Sequence, residues 1–320
     1  YAALDRGQID TEALRKLLSC HPLAGTEGET PVYAVDASVW ARSDAECSPA
    51  RGYYYHPSRH SAGQPIVAGW AYQWIAQLGF ARESWTAPVD LRRVRPEEDA
   101  NAVAAEQVKA LLGRLGKQGA APLFVFDAGY DPVKMQRTLE GSPCQILLRL
   151  RAGRRFYGDP GLCDPPENIG RPRRHGPKMK CNDPSTWPEP SAEHACEDAG
   201  YGSVRVRAWA EMHPKVHNHA GKGTRGPLPI VVGTLILVEV ERLPRGARGG
   251  ASLGFCGCGG MDRRGRRRTW VSSGAPTSGA SIWSTPSASS SKAWGVRRRG
   301  CATPSRPTGG VGWWWPPTRS

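Results

Sequence analysis

Short apolar runs that end in a polar residue mark the first half of the chain. Pro31–Asp36 and Pro122–Asp127 each have the pattern of a buried strand that presents an aspartate at its end. Asp36 and Asp127 therefore meet if the two strands are neighbours. Aromatic-rich stretches between them indicate further strands of a β-meander, at residues 53–56, 65–75 and 85–89.

Helical spacing follows the meander. Pro96 is a favoured first-turn residue and Glu97–Asp99 complement the helix dipole, so a helix is predicted to start at Pro96 and to run through the apolar positions of 104–115. Residues 1–20 also have a helical pattern, 133–139 form a short helix, and Gln145–Arg151 form a strand. This order resembles a ribonuclease-H-like core, so the expected fold is α/β: a mixed sheet with helices.

The segment after this core is basic and rich in proline and glycine. Strands return at residues 204–209 and 229–240, so 152–247 is interpreted as a β-rich insertion with a basic loop. Basic side chains beside an acidic site are candidates for phosphate contact. These candidates are Arg149, Arg151, Arg173, Arg174 and Lys178.

Charge and composition are unusual mainly at the C-terminal end of the chain. The net charge of +14 favours a polyanionic partner, but residues 251–320 alone carry +10. From residue 248 the chain is dominated by Gly, Ser, Pro, Arg and Trp, which predicts a disordered tail. Two origins stay open for this tail: a genuine low-complexity linker, or an out-of-frame translation of a folded region.

Other classes of protein find little support in the sequence. No run of about 18 apolar residues predicts a membrane span. The nine cysteines include no CxxC pair, and Cys256 with Cys258 lacks a second ligand pair at a workable spacing for zinc. His213, His217 and His219 are interpreted as part of a solvated loop between strands rather than as metal ligands.

Four sequence stretches carry a resemblance to a known family. The strand YAVDAS contains Asp36, the strand and turn FVFDAGYD contain Asp127, and GYYYHPSRHS and GWAYQW lie between them. Together they resemble the DDE transposases of bacterial insertion sequences, in the group with a β-rich insertion and a Tyr-Arg-Glu-Lys motif. The resemblance covers roughly residues 1–247.

The resemblance implies a function and a set of partners. Asp36 and Asp127 would be catalytic and would bind Mg²⁺ (or Mn²⁺) for DNA cleavage and strand transfer, with the element's terminal inverted repeats and target DNA as partners. A homodimer and a cytoplasmic, nucleoid-associated location in a bacterium are also implied, with no membrane partner. The domains expected are a helical remnant (1–20), the ribonuclease-H-like core (21–151), the insertion (152–247) and the tail (248–320).

One expected element of the family is missing. In that group a helix after the insertion carries Tyr, two residues, Arg, three residues, Glu, six residues and Lys, and its Glu is the third metal ligand. Ser273–Ser291 can encode this pattern in a shifted frame. The interpretation is therefore an N-terminally truncated, C-terminally frame-shifted and catalytically dead copy, with the frame change near Gly249.

The sequence is also compatible with other functions. Asp36 and Asp127 could simply cap turns at strand ends, as Asp131 is expected to do. The chain could also be a non-catalytic DNA-binding regulator derived from a transposase, or a ribonuclease-H-like nuclease unrelated to transposition.

Overall fold

The computed structural model describes residues 6–21, 23, 30–42, 44, 47–55, 65–79, 86–116, 120–162, 172–216, 228–243 and 247–258. Helices with described bounds are α1 (Thr11–Cys20), α2 (Ala100–Leu115) and α3 (Pro132–Thr138). The strands are β1 (Val32–Ala41), β2 (Gly52–Tyr55), β3 (Ile66–Leu78), β4 (Thr86–Val94), β5 (Leu123–Phe126), β6 (Gln145–Arg149), β7 (Arg155–Tyr157), β8 (Lys178–Lys180), β9 (Ala192–Asp198), β10 (Gly202–Pro214), β11 (Gly233–Leu243) and β12 (Ala247–Cys258).

These strands form one mixed sheet. Its order is β2-β3-β1-β5-β6-β12-β11-β10-β7-β8, with β4 added to β3 and β9 added to β10. The pairs β1–β5 and β5–β6 are parallel, whereas β1–β3, β2–β3 and β3–β4 are antiparallel. An antiparallel meander followed by parallel strands and helices is ribonuclease-H-like, so the expected mixed α/β fold is confirmed.

The main core lies between the sheet and the helices. Alternating strand residues such as Val35, Ile75 and Phe126 pack with Val108 of α2 and Met135 of α3, and all five are buried. Because strand side chains alternate between the two faces, the intervening residues point away from these helices. Asp36 and Asp127 belong to that second set. Asp127 directly follows β5, whereas β1 continues to Ala41, so the predicted strand end at Asp36 is wrong.

Helix α2 begins later than its sequence predicts. Residues 96–98 form a turn, and the helix starts at Ala100 with Asp99 as its N-cap, whose side chain accepts from Asn101 N. The Glu98 carboxylate accepts from Arg95 N and binds Arg92, which stabilises the turn. The predicted start at Pro96 is therefore wrong.

A buried carboxylate fixes α1 to the rest of the fold. Asp90 of β4 is 4% exposed. It accepts from Arg15 Nε of α1 at 2.8 Å and from Arg114 Nη2 of α2 at 2.9 Å. Two guanidinium partners compensate the desolvation of this carboxylate, so three elements are held at one point.

The sheet also continues further along the chain than expected. Strand β12 lies between β6 and β11, and Phe255 is fully buried, with its ring stacked on Phe156 at 5.6 Å. The predicted tail starts at 248, so its first residues, to Cys258, are part of the sheet instead. Backbone pairing on both sides and one buried aromatic ring hold a segment whose own composition does not favour a strand. The remainder of the predicted tail lies outside the described residues.

Candidate functional site

The parallel register of β1 and β5 brings two acidic residues together. Val35 is the register partner of Phe126, so the next position along each strand is Asp36 and Asp127. Neighbouring strands lie about 4.8 Å apart, which makes these two aspartates side-by-side neighbours at one end of the parallel pair. The juxtaposition inferred from the apolar runs is therefore present.

The surroundings of Asp36 disfavour its negative charge. Burial, together with a smaller effect of the Asp127 charge, raises the pKa of the Asp36 carboxyl to about 6. Ala37 N donates to Asp36 Oδ1 at 2.8 Å, which works in the opposite direction. Two carboxylates that repel each other in a partly buried site would be stabilised by a cation between them.

A buried chain of hydrogen bonds supports the two aspartates from beneath. The Tyr130 hydroxyl donates to Gln73 Oε1 at 2.7 Å, and Gln73 Nε2 donates to the Asp36 carbonyl at 3.0 Å. Gln107 Nε2 in turn donates to the Gln73 carbonyl at 3.4 Å. Tyr130 N also donates to the Asp127 carbonyl at 3.2 Å, so this chain links the backbone of both acids.

Sequence reasoning did not single out these supporting residues. Gln73 is fully buried on β3 at a position flanked by aromatic residues, and Tyr130 follows Asp127 in the DAGYD turn. A polar residue at an inward position of an apolar strand must have hydrogen-bond partners. That rule would have identified Gln73, although not its partners.

Two of the five predicted basic residues lie at the aspartates. Arg149 Nη1 is 3.7 Å from Asp127 Oδ1, and Arg151 Nε donates to the Ala128 carbonyl at 3.1 Å. Both follow from the position of β6 beside β5. Arg149 is about half exposed, so its guanidinium remains accessible to an anion.

The other three basic residues lie on a different part of the sheet. Arg173 and Arg174 precede β8, which carries Lys178, and β12, β11, β10 and β7 separate β8 from β6 in the strand order. Arg174 Nη2 donates to the Leu228 carbonyl at 2.7 Å. The structure therefore does not group these residues with Arg149 and Arg151.

Asp131 has the structural role expected of it. Its carboxylate accepts from Val133 N and Lys134 N, both at 3.0 Å, as the N-cap of α3. Arg154 Nη2 donates to the same carboxylate at 3.2 Å. These contacts confirm that Asp131 is a helix cap.

His213 differs from its expected setting. It lies in β10, is 3% exposed, and its Nε2 is 2.9 Å from His175 Nδ1. The expected solvated loop is therefore wrong for His213, because β10 extends through this position. His217 and His219 lie outside the described residues.

The donor set at the two aspartates suits a hard divalent cation. Carboxylate oxygens are the ligands that Mg²⁺ and Mn²⁺ prefer, and the mutual repulsion at Asp36 favours a cation there. Within the described ranges, no group of three or more His, Cys, Asp or Glu side chains could hold a metal. The described residues therefore fit one ion and do not supply the third carboxylate that a second ion needs.

Comparison with known proteins adds one match. The family model described as DDE superfamily endonuclease matches residues 1–215, which include both aspartates and the supporting glutamine and tyrosine residues. No curated protein matches the chain. Among the described helices, none combines the length and apolar character needed to cross a membrane.

Proposed function

This chain belongs to the DDE superfamily endonucleases, and from that premise we propose that it is the transposase of a bacterial insertion sequence. Membership implies nuclease or transposase activity on DNA in general. The finer assignment, to cleavage and strand transfer at the ends of an element, is our proposal. The observation that carries it is the parallel register that sets Asp36 beside Asp127, next to the half-exposed Arg149.

Each residue of the site has a proposed role. Asp36 and Asp127 correspond to catalytic residues of the family and would hold one Mg²⁺ or Mn²⁺ ion, which would supply Lewis-acid activation of an oxygen at the scissile phosphate. Arg149 and Arg151 contact the phosphates that flank the scissile bond, and they orient DNA without reading its sequence. Arg173, Arg174 and Lys178 extend the DNA contact along the insertion.

We further propose that this copy is catalytically inactive. The described residues offer two carboxylates where two-metal chemistry needs a further one. The glycines of β12 support a frame change near Gly249: Gly254 pairs with both β11 and β6, and Gly250 and Gly257 each pair with one of these strands. Glycine weakens a strand interior and is rare in central strands.

Location and assembly follow from the same proposal. A transposase of this kind acts on the chromosome, so we assign it to the bacterial cytoplasm in association with the nucleoid. It acts as a homodimer that holds the two terminal inverted repeats of its element together with target DNA.

A second function is favoured by the incomplete carboxylate set. A chain that retains Arg149 and Arg151, and whose described residues supply no third acid, could occupy element ends as a non-catalytic regulator. A third hypothesis is a ribonuclease-H-like nuclease that takes no part in transposition. Cleavage of DNA that contains no element ends would identify it.

The test compares this chain with a frame-restored version that carries the Tyr-Arg-Glu-Lys helix. Both are assayed for Mg²⁺-dependent cleavage of the element's ends and for binding to the same DNA. We expect similar DNA binding but cleavage by the restored chain alone, abolished by Asp36→Ala or Asp127→Ala. Equal cleavage by the two chains would refute the inactivity, and cleavage that survives both substitutions would refute the assigned site.

A further inference from the structure

The face of the sheet that carries the aspartates also carries a row of aromatic side chains. In the β1–β3 register, Asp36 lies opposite Trp74, Ser38 opposite Tyr72 and Trp40 opposite Trp70. Residues two apart on a strand share a face, so these six side chains lie on the face that α2 and α3 do not cover. Trp74 Nε1 donates to Ser38 Oγ at 2.7 Å, which ties the acidic end of the row to its aromatic end.

The far end of the row is an ordered cluster of aromatic and arginine side chains. Trp40 makes an edge contact with Trp70, with ring centroids 6.2 Å apart, and a tilted contact with Tyr72 at 6.3 Å. Arg93 and Arg42 lie over the Trp70 ring, 5.1 Å and 5.9 Å from its centroid. We call Trp40, Trp70, Tyr72, Arg42 and Arg93 the aromatic–arginine surface.

Backbone contacts hold this surface in place. Arg93 Nη2 donates to the carbonyls of Pro49 and Ala50 at 2.7 Å and 2.8 Å, so its guanidinium stays over the ring. Arg42 forms an ion pair with Asp44 at 2.8 Å, which holds the second guanidinium. Positioned cations against fixed aromatic rings are therefore built into the fold.

Within this surface Trp40 is exposed, whereas Trp70 and Tyr72 are half-buried. Trp40 is 56% exposed, and on the neighbouring strand β2 Tyr53 and Tyr55 are 67% and 70% exposed. Arg51 lies 5.6 Å from the Tyr53 ring centroid, which repeats the pairing of arginine with an aromatic ring. Contiguous exposed apolar side chains mark interaction sites in soluble proteins.

The chemistry of the surface selects its partner. Aromatic rings accept stacked bases only where the bases are unpaired, and arginines bind the intervening phosphates. A single nucleic acid strand presents both features, unpaired bases and phosphates, along its length. We propose that the aromatic–arginine surface binds unpaired nucleotides of the DNA substrate.

The geometry also fixes where those nucleotides lie. Trp40 is four residues beyond Asp36 on β1, and a strand rises about 3.3 Å per residue, so the two side chains are about 13 Å apart. The unpaired segment therefore adjoins the phosphodiester held at Asp36 and Asp127. This inference rests on the proposed function and names the state of its substrate: a locally opened DNA end.

The experiment measures binding of the full chain to two labelled DNA duplexes in EDTA, which prevents cleavage. One duplex is blunt and the other has the same sequence with a short unpaired overhang. Trp40→Ala is compared with wild type, with Trp40→Phe, which keeps a stacking ring, and with Leu17→Ala. Leu17 is a matched control because it is 55% exposed on α1, away from this surface.

We expect wild type to prefer the overhang and Trp40→Ala to lose roughly ten- to hundredfold in affinity for it, with blunt-duplex binding unchanged. Trp40→Phe should retain most of the preference, and Leu17→Ala all of it. Blunt binding without an overhang preference would overturn this inference alone, whereas failure to bind either duplex would overturn the proposed function with it. A shift from dimer to monomer in Trp40→Ala by light scattering would identify the surface as a subunit interface and would also overturn the inference.

Discussion

Lowering the pH should release a divalent cation from the site at an unusually high pH for a carboxylate ligand. Burial and the charge of Asp127 raise the pKa of Asp36 to about 6. Each pH unit below this value lowers the ionised fraction about tenfold, so the affinity for Mn²⁺ at pH 5 should be about one tenth of that at pH 8. An aspartate with the ordinary pKa of 3.8 would lose almost nothing over this range.

The same shift has a consequence for stability in the absence of metal. A folded-state pKa above the unfolded value means that ionisation of Asp36 lowers the free energy of unfolding. This loss of stability is absent below about pH 4, grows up to about pH 6 and is constant above it. A shift of about two units corresponds to at most about 3 kcal/mol, and solvent screening of a partly accessible group reduces this to about 1–2 kcal/mol. Asp36→Asn should therefore gain stability relative to wild type between pH 4.5 and pH 8.

Two measurements test this reasoning together. Calorimetric titration with Mn²⁺ at several pH values gives the midpoint of metal binding, and urea unfolding in EDTA gives the free energy of unfolding for wild type and Asp36→Asn. Glu97→Gln, which removes a charge from the exposed turn before α2, is the control and should show no comparable change. A metal-binding midpoint near pH 4, or a pH-independent difference in unfolding free energy, would contradict the account of Asp36.

Three further substitutions test other parts of the structure. Tyr130→Phe removes a donor from the buried Gln73 amide and should cost about 1–3 kcal/mol by urea unfolding, and an unchanged midpoint would argue against the supporting chain. Arg149→Ala should reduce the slope of the logarithm of the DNA-binding constant against the logarithm of salt concentration by the amount expected for about one phosphate contact. Arg92→Ala, on the helix side of β4, should leave this slope unchanged. Asp90→Asn leaves two arginines without their shared buried partner and should destabilise the fold by about 3–5 kcal/mol, with early loss of hydrogen-exchange protection in α1.

The parts of the fold that follow local rules were accessible from the sequence. Apolar runs ending at Asp36 and Asp127 predicted both strands, although β1 continues to Ala41 through its pairing with β3, and the parallel pairing of β1 and β5 makes the two acids neighbours. The spacing of apolar residues predicted α2, although its start depended on whether Glu98 capped a turn or entered the helix. Periodicity is a local signal, and these elements are held largely by local preferences and one buried face.

The rest of the site depends on contacts between distant residues. Tyr130 and Gln73 are 57 positions apart, and no local pattern connects them. Likewise, nothing in the sequence around Arg149 and Arg173 indicates which of them lies near Asp127. The strand order decides it, because it places Arg149 beside Asp127 and Arg173 before β8. Strand β12 was missed for the same reason: its neighbours, rather than its own residues, determine its conformation.

The central position of β12 has a consequence for the time course of folding. Leu148 of β6 pairs with Phe255 of β12, about a hundred residues later in the chain. At about 5–20 residues per second, a ribosome needs roughly 5–20 s to deliver that partner. Until then the nascent chain exposes the unpaired edge of β6, where another chain could add. Among the described strands β12 is made last, so its synthesis determines when the edge of β6 is covered and protected from aggregation.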